Sequence, residues 1–413
     1  MTKAFPDGFL WGAATAPMQV EGNNLATDLW ALEHIPDTVF AEPSGDTVDF
    51  YNRYPEDIAT LADLGLNALR FGVEWARIEP EAGQVSRAEL DHYSRMVDTC
   101  LEHGVTPIVT LHHFSSPRWL LTRRGWKNPD TAKLFADQAS RVVARLGDRA
   151  TWYCTINEAN TPMQLTGNGL LSPTAAKLLN PFRATAAAAF GVAPEDFAPF
   201  FPYADGEEAI AVVMEAHRLA VDAIHAANAA AQAGITLSMQ EQHGEPGGEE
   251  EAARIDDVVN RRWLRETGAV GDFVGVQNYS RLRYDRNGRI PETEELSRSG
   301  LRMVPGSLAA TVREAWEVTG KPILVTEHGT DLPTARDAER VAFTRASLGH
   351  LADAITDGVD VRGYIHWCLA DNWEWFRGYH GQYGLFEVDR ATQTRTPRPS
   401  AGALGAIARA NAI

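Results

Sequence analysis

The sequence predicts a single (β/α)8 barrel of the α/β class. Three observations carry that prediction: a length of 413 residues, a recurring alternation of short apolar runs with longer segments of helical period, and polar residues gathered at the ends of those runs. A chain of this length holds one large barrel or two ordinary domains. No composition break, low-complexity linker or internal repeat marks a boundary, so residues 1–413 are read as one domain.

The runs taken as strands are, in order, FLWGAAT (9–15), NALRFGV (67–73), TPIVTL (106–111), TWYCTI (151–156), ITLSMQ (235–240), FVGVQ (273–277), PILVTE (322–327) and GYIHW (363–367). Parallel strands buried on both faces read as continuous apolar runs of this kind. Between them lie PEDIATLADLG (55–65), RAELDHYSRMVDTCLEHG (87–104) and EEAIAVVMEAHRLAVDAIHAAN (207–228). The last repeats apolar residues every three or four positions over about six turns, the mark of an amphipathic helix. Eight alternations are the number that closes a barrel. A doubly wound sheet is the alternative, but FLWGAATAPMQVEG lacks the glycine fingerprint expected after its first strand.

Composition excludes several function classes. Charged residues make up 23% and the formal net charge is −17. So negative a surface repels phosphate backbones and anionic lipid, which argues against nucleic acid and membrane partners. No run approaches the length of a membrane span, and the N-terminus has Pro6 and Asp7 where a signal peptide needs apolar residues. A cytoplasmic location follows as the expectation, and the sequon Asn278-Tyr279-Ser280 is read as coincidence. Three scattered cysteines without ligand spacing predict no disulfide framework and no metal site. No cofactor is expected.

In a barrel, reacting groups come from the C-terminal ends of strands, because the interior below is packed. Here the second strand carries Arg70, the third runs into His112-His113 and the fourth into Asn157-Glu158. The sixth runs into Asn278-Tyr279, the seventh ends at Glu327-His328, and the eighth gives Trp367, followed by Asp371, Glu374 and Trp375. One such residue is an ordinary strand terminator; several on one rim need partners for their buried charges. Glu158 and Glu327 fall on strands four and seven. Two carboxyl groups about 5–5.5 Å apart can split glycoside hydrolysis into two displacements. Their repulsion raises the pKa of one, keeping it protonated as the acid while the other stays charged. A metal-dependent barrel hydrolase needs an HxH pair at the first strand, which is missing.

At these residues the chain resembles glycoside hydrolase family 1, the β-glucosidase family, over nearly its whole length. The matching blocks are FPDGFLWGAATAPMQVEG (5–22), YNRYPEDIATLADLGLNALRFGVEWARIEP (51–80), PIVTLHHFSSPRWL (107–120), TINEA (155–159), VTEHG (325–329) and VRGYIHWCLADNWEWFRGYHGQYGLFEVD (361–389). The resemblance implies a retaining β-glycosidase hydrolysing terminal non-reducing β-D-glucosyl residues, with Glu158 as acid/base and Glu327 as nucleophile. It implies that Gln19, His113, Asn157, Glu374 and Trp375 bind sugar hydroxyls over Trp367, and that Arg70 and Tyr279 sit beside Glu327. β-Galactosidase or β-fucosidase activity, or transglycosylation, are alternatives on the same scaffold. A non-catalytic sugar-binding barrel is disfavoured because both carboxyls are present.

The chain departs from the family pattern at Ala159, Ser115, Gln277, Asn278, His328 and Gln382. A charged His328 favours an ionised Glu327; a neutral one only hydrogen-bonds. Glu374 argues against a 6-phosphosugar and Glu158 against the thioglucosidase branch. On their own, Gln19 reads as a surface glutamine and His113 as a core or loop histidine. Residues 163–206 form a rim insertion after the fourth strand. Its Phe182, Phe190, Phe197, Phe200, Phe201 and Tyr203 are expected either to wall the leaving-group side or to pack a lid helix on the barrel.

Overall fold

The computed structural model describes residues 2–167, 173–293 and 296–413. Eight parallel strands close into a barrel: β1 (Leu10–Ala14), β2 (Ala68–Gly72), β3 (Thr106–His112), β4 (Trp152–Ile156), β5 (Gln232–Ser238), β6 (Phe273–Asn278), β7 (Ile323–His328) and β8 (Val361–His366). Each pairs with its sequence neighbours, and β1 meets β8 to seal the cylinder. The eight-stranded barrel expected from the sequence is therefore the one observed. Two edges differ. β5 starts at Gln232 rather than 235 and stops at Ser238, while β8 ends at His366, leaving Trp367 one residue beyond its strand.

Helices cover the outside because their apolar stripes must be buried against the strands. Arg87–Glu102 turns Tyr93, Met96, Val97 and Cys100 inward and is capped by Ser86, whose hydroxyl accepts from Glu89 N. Asp130–Leu146 does the same with Phe135, Ala139, Val142 and Val143, and ends at Gly147, whose φ of 64° suits a residue without a Cβ. Glu207–Ala227 packs against that helix. Trp75, Trp119 and Trp263 are buried, and Trp30 and Trp316 pack partly buried against the core, the packing role expected for them.

Two small sheets lie outside the barrel and carry no apolar run that would announce them. One joins Glu241–Gly244, Arg281–Asp285 and Gly288–Arg289; the other is a hairpin of Phe386–Asp389 with Thr394–Pro397. Between β4 and β5 the chain runs through helices at Thr161–Gly167, Pro173–Ala189 and Phe200–Tyr203 before Glu207–Ala227. Among the described residues, no helix is long and apolar enough to cross a membrane.

One irregularity shapes the rim. The β6–β7 register shifts between Val325 and Glu327, so Glu327 pairs with Gln277 and His328 with Asn278. Paired residues of neighbouring strands share a face, which sets Gln277 beside Glu327 inside the barrel and turns Asn278 and His328 outward.

Candidate active site

A cavity of about 270 Å³ opens at the C-terminal ends of the strands, and Glu158 and Glu327 both line it. Glu158 follows β4 in a left-handed turn, with φ of 43°. Two threonines hold that turn. Glu158 N donates to Thr236 Oγ1 at 3.1 Å, and Thr161 Oγ1 donates to Glu158 Oε2 at 2.9 Å. Thr161 N also donates to Glu158 O at 2.9 Å.

Glu327 is held differently. Arg70, wholly buried on β2, donates from Nη1 to Glu327 Oε1 at 2.6 Å. Gln277 Nε2 donates to the same oxygen at 3.0 Å, and Tyr279 OH to Oε2 at 2.6 Å. Arg70 Nη2 also reaches Asn157 Oδ1 at 2.5 Å, which Gln277 Nε2 shares at 2.8 Å. The buried guanidinium thus has partners for its charge, as burial demands.

These surroundings separate the two carboxyls. Burial raises both, because a low-dielectric site disfavours charge. For Glu158 burial comes first and repulsion from Glu327 second, and its pKa reaches about 8. For Glu327 burial is again the largest influence, but Arg70, Tyr279 and Gln277 pull it back towards the ionised form. The arrangement supplies one proton-bearing carboxyl and one cation-clamped carboxylate facing the same space.

Many of the sequence-predicted polar residues converge around that space, whereas His112 pairs with Ser116 at 2.9 Å and Asp371 with Arg398 at 2.6 Å, outside the cavity lining. Gln19 is fully buried rather than on the surface; its Nε2 donates to Asn372 Oδ1 at 3.0 Å and to Trp373 O at 2.8 Å. Asn157 Nδ2 donates to His113 Nε2 at 3.0 Å. Burial and the nearby Arg70 push His113 well below the usual imidazole range, so it is neutral, and an accepting Nε2 leaves its proton on Nδ1. Trp367 lies against the cavity, with its ring 29° from that of His113, and donates from Nε1 to Glu374 Oε1 at 3.3 Å. Burial lifts Glu374 to about 8. Trp375 completes this wall.

The departures from the family pattern resolve one by one. His328 is neutral, pushed to about 3 by burial, and does not touch Glu327: Nδ1 meets Tyr364 OH at 2.9 Å and the ring stacks on Phe343. Asn278 is structural, donating to Met239 O at 2.8 Å and accepting from Ser307 Oγ at 2.8 Å. Gln277 is the substitution that enters the site. Ser115 Oγ donates to Glu74 Oε2 at 2.6 Å, and Gln382 Oε1 accepts from Arg298 at 2.8 Å. Ala159 is buried in the turn, its N donating to Thr236 O at 3.2 Å.

Outward of the polar residues the wall turns apolar, with Phe114, Leu165, Phe201, Leu301 and Phe376. Phe201 packs between Phe114 (4.9 Å), Trp375 (5.4 Å) and Phe376 (5.0 Å). The expectation for residues 163–206 divides. Leu165 and Phe201 face the cavity, whereas Phe182, Phe197, Phe200 and Tyr203 are buried in the core and Phe190 packs against it. Thr161, Ser238, Gln277, Ser299 and Tyr383 belong to the site and were not singled out as ligands from the sequence. Of these only Gln277 carried a signal, as a departure within a matching block.

Comparison with known proteins identifies the family and the fold. The model of glycosyl hydrolase family 1 matches residues 1–306 and 306–413. Thermostable beta-glucosidase B of Thermobispora bispora is 33% identical, the alignment covering 96% of this chain and 89% of that protein. A bifunctional β-D-glucosidase/β-D-fucosidase of Bifidobacterium breve is 29% identical over 97% of each. The crystal structure of β-glycosidase BGL167 is 47% identical, with a TM-score of 0.93 over 98% of this chain and 97% of that one.

Proposed function

This chain belongs to glycosyl hydrolase family 1, and from that premise we propose that it releases terminal non-reducing β-D-glucosyl residues with retention, using Glu327 as nucleophile and Glu158 as acid/base. The chain is a glycoside hydrolase. The observation that carries the assignment of roles is the asymmetry between the two carboxyls. Glu327 takes three donors, one of them a buried cation, while Glu158 meets only hydroxyl donors and sits at about 8.

In the first displacement Glu327 attacks the anomeric carbon as Glu158 gives its proton to the leaving oxygen, and a glycosyl-enzyme forms. Glu158, now a carboxylate, then takes a proton from water, which displaces Glu327. Two inversions give net retention. Asn157, pinned by Arg70 and Gln277, is assigned to the 2-hydroxyl, where hydrogen bonds strengthen in the transition state. Trp367 offers its face to the sugar C–H groups, and Gln19, His113, Glu374 and Trp375 take the other hydroxyls.

Leu165 and Phe201 from the rim insertion at 163–206, with Phe114 and Phe376, favour an apolar leaving group. β-Fucosyl substrates are the second reading, supported by the bifunctional relative, and β-galactosyl substrates are an alternative on the same scaffold. Transglycosylation to an alcohol is a variant of the second displacement. We place the enzyme in the cytoplasm, acting as one domain on a small-molecule β-glycoside.

The test is kinetic. Glu327→Ala is expected to abolish turnover of aryl β-glucosides. Glu158→Ala is expected to keep glycosylation with good leaving groups and, with azide, to yield the β-glycosyl azide. An α-azide from Glu158→Ala reverses the two roles.

A further inference from the structure

Where β4 leaves β5, a side chain takes over the pairing. The backbone ladder between them runs from Trp152 opposite Gln232 to Cys154 opposite Gly234. Beyond it one chain bends through Glu158, while β5 continues to Ser238. The bonding groups of successive strand residues face opposite neighbours. Met239 N donates to Gln277 O on the β6 side at 2.7 Å, so Ser238 turns its own N–H and carbonyl towards β4. Asn160 meets both: its Oδ1 accepts from Ser238 N at 2.9 Å, and its Nδ2 donates to Ser238 O at 2.8 Å. The same Nδ2 donates to Val259 O at 2.9 Å, in the helical turn Asp257–Arg261 outside the barrel.

Asn160 is wholly buried and follows Glu158 by two residues. Thr236 tethers the start of the Glu158 turn to the middle of β5, through Glu158 N on its hydroxyl and Ala159 N on its carbonyl. Asn160 tethers the end of the turn to the tip of the same strand. One tether leaves a turn free to pivot; two at separate points fix its orientation. Ser238, at the second point, lines the cavity, and its hydroxyl is a hydrogen-bond partner of the Glu158 carboxyl. One amide therefore joins the backbone that carries the carboxyl to a residue that touches it. Gln164 Nε2 also donates to Ser238 O, at 2.8 Å, but Ser238 N gives its hydrogen to Asn160. Losing that acceptor costs the desolvation of a buried N–H and frees the joint to move.

We infer that Asn160 is a positioning residue for the acid/base, locking the Glu158 turn onto the end of β5 so that the carboxyl stays within proton-transfer reach of the leaving oxygen. Asn160 does not line the cavity and acts through Glu158 and Ser238. This rests on the roles proposed above for the two carboxyls and deepens them. Proton donation by a placed acid is worth about 10²–10⁴ in rate and is lost steeply as the donor moves. The nucleophile Glu327 hangs from Arg70, Gln277 and Tyr279, none of which bonds to Asn160.

The experiment compares kcat/KM of the full-length parent and Asn160→Ala on two substrates, 2,4-dinitrophenyl β-glucoside and phenyl β-glucoside. Dinitrophenolate departs as a stable anion and needs no proton, whereas phenolate needs one. In Asn160→Ala, kcat/KM for the phenyl glucoside is expected to fall by about tenfold or more, and that for the dinitrophenyl glucoside to stay within about twofold of the parent. An equal fall on both substrates, the mark of a merely structural role, overturns the inference, and so does an unchanged value on both. Should the alanine variant not fold, Asn160→Ser leaves a hydroxyl too short to span Ser238 and Val259 together and carries the same outcomes. A parent that turns over neither glucoside instead overturns the function proposed above.

Discussion

Tyr279→Phe isolates one of the three donors on Glu327. The Tyr279 hydroxyl serves Oε2 at 2.6 Å, while Arg70 and Gln277 both serve Oε1. Removing it leaves the cation in place and uncovers one oxygen. A hydrogen bond to a charged acceptor contributes about 1.5–3 kcal/mol. At about 1.4 kcal/mol per pKa unit, that raises Glu327 by roughly one to two units. The neutral carboxyl also loses a weaker bond, so the lower figure is the expectation. Glu327 must be ionised to attack, so kcat/KM falls on the acid side as it gains its proton. The acid limb of the variant is expected to move up by about one unit. The basic limb follows loss of the Glu158 proton and is expected to stay near 8. The assay is kcat/KM for an aryl β-glucoside from pH 4 to 10. An acid limb coinciding with the parent's, with rate lost equally at every pH, would refute the argument that this hydroxyl holds the carboxylate ionised.

Two further outcomes are expected. Phe201→Ala removes an aromatic from the outer wall, worth about 1 kcal/mol or roughly a fivefold rise in KM for phenyl β-glucosides. Methyl β-glucoside should be unaffected, and an equal rise for both would exclude an aglycone contact. Glu158→Gln bears on stability. The folded pKa of Glu158, about 8, lies above the ordinary 4.5, so its contribution is fully present below about pH 4.5 and lost as pH rises through about 8. Glutamine cannot ionise, so Tm of the variant minus that of the parent should grow from pH 5 to pH 9. A constant difference would show that Glu158 ionises as it does in water.

The barrel was legible because each strand is buried on both faces and reads as an unbroken apolar run. Its edges were less so. Gln232, Ala233 and Gly234 have low strand propensity yet pair in β5, whereas Met239 and Gln240 look like its continuation but leave the ladder. The hairpin at 386–397 and the strands at 241–244 and 281–285 owe their pairing to tertiary context and have little pattern of their own. At the site, the strand-end residues were visible as polar interruptions. Thr161, Ser238 and Thr236 were not, since a hydroxyl that props the Glu158 carboxyl or its backbone N–H looks like any other helix-start or strand threonine or serine. Ser299 and Leu301 reach the cavity from a loop whose course no periodicity records. His328 shows the converse. Its place in the motif suggested an influence on Glu327, and the alternation of strand side chains turned it to the opposite face.

The backbone at Glu158 bends the chain where an L-residue is uncomfortable, at roughly 1 kcal/mol, and burial adds the expense of an unwelcome carboxyl. Glycine would relieve both burdens with a single replacement. A population selected for heat resistance alone would therefore drift towards losing its own proton donor, arriving at sturdier and inert molecules. What keeps a glutamate on that bend is turnover.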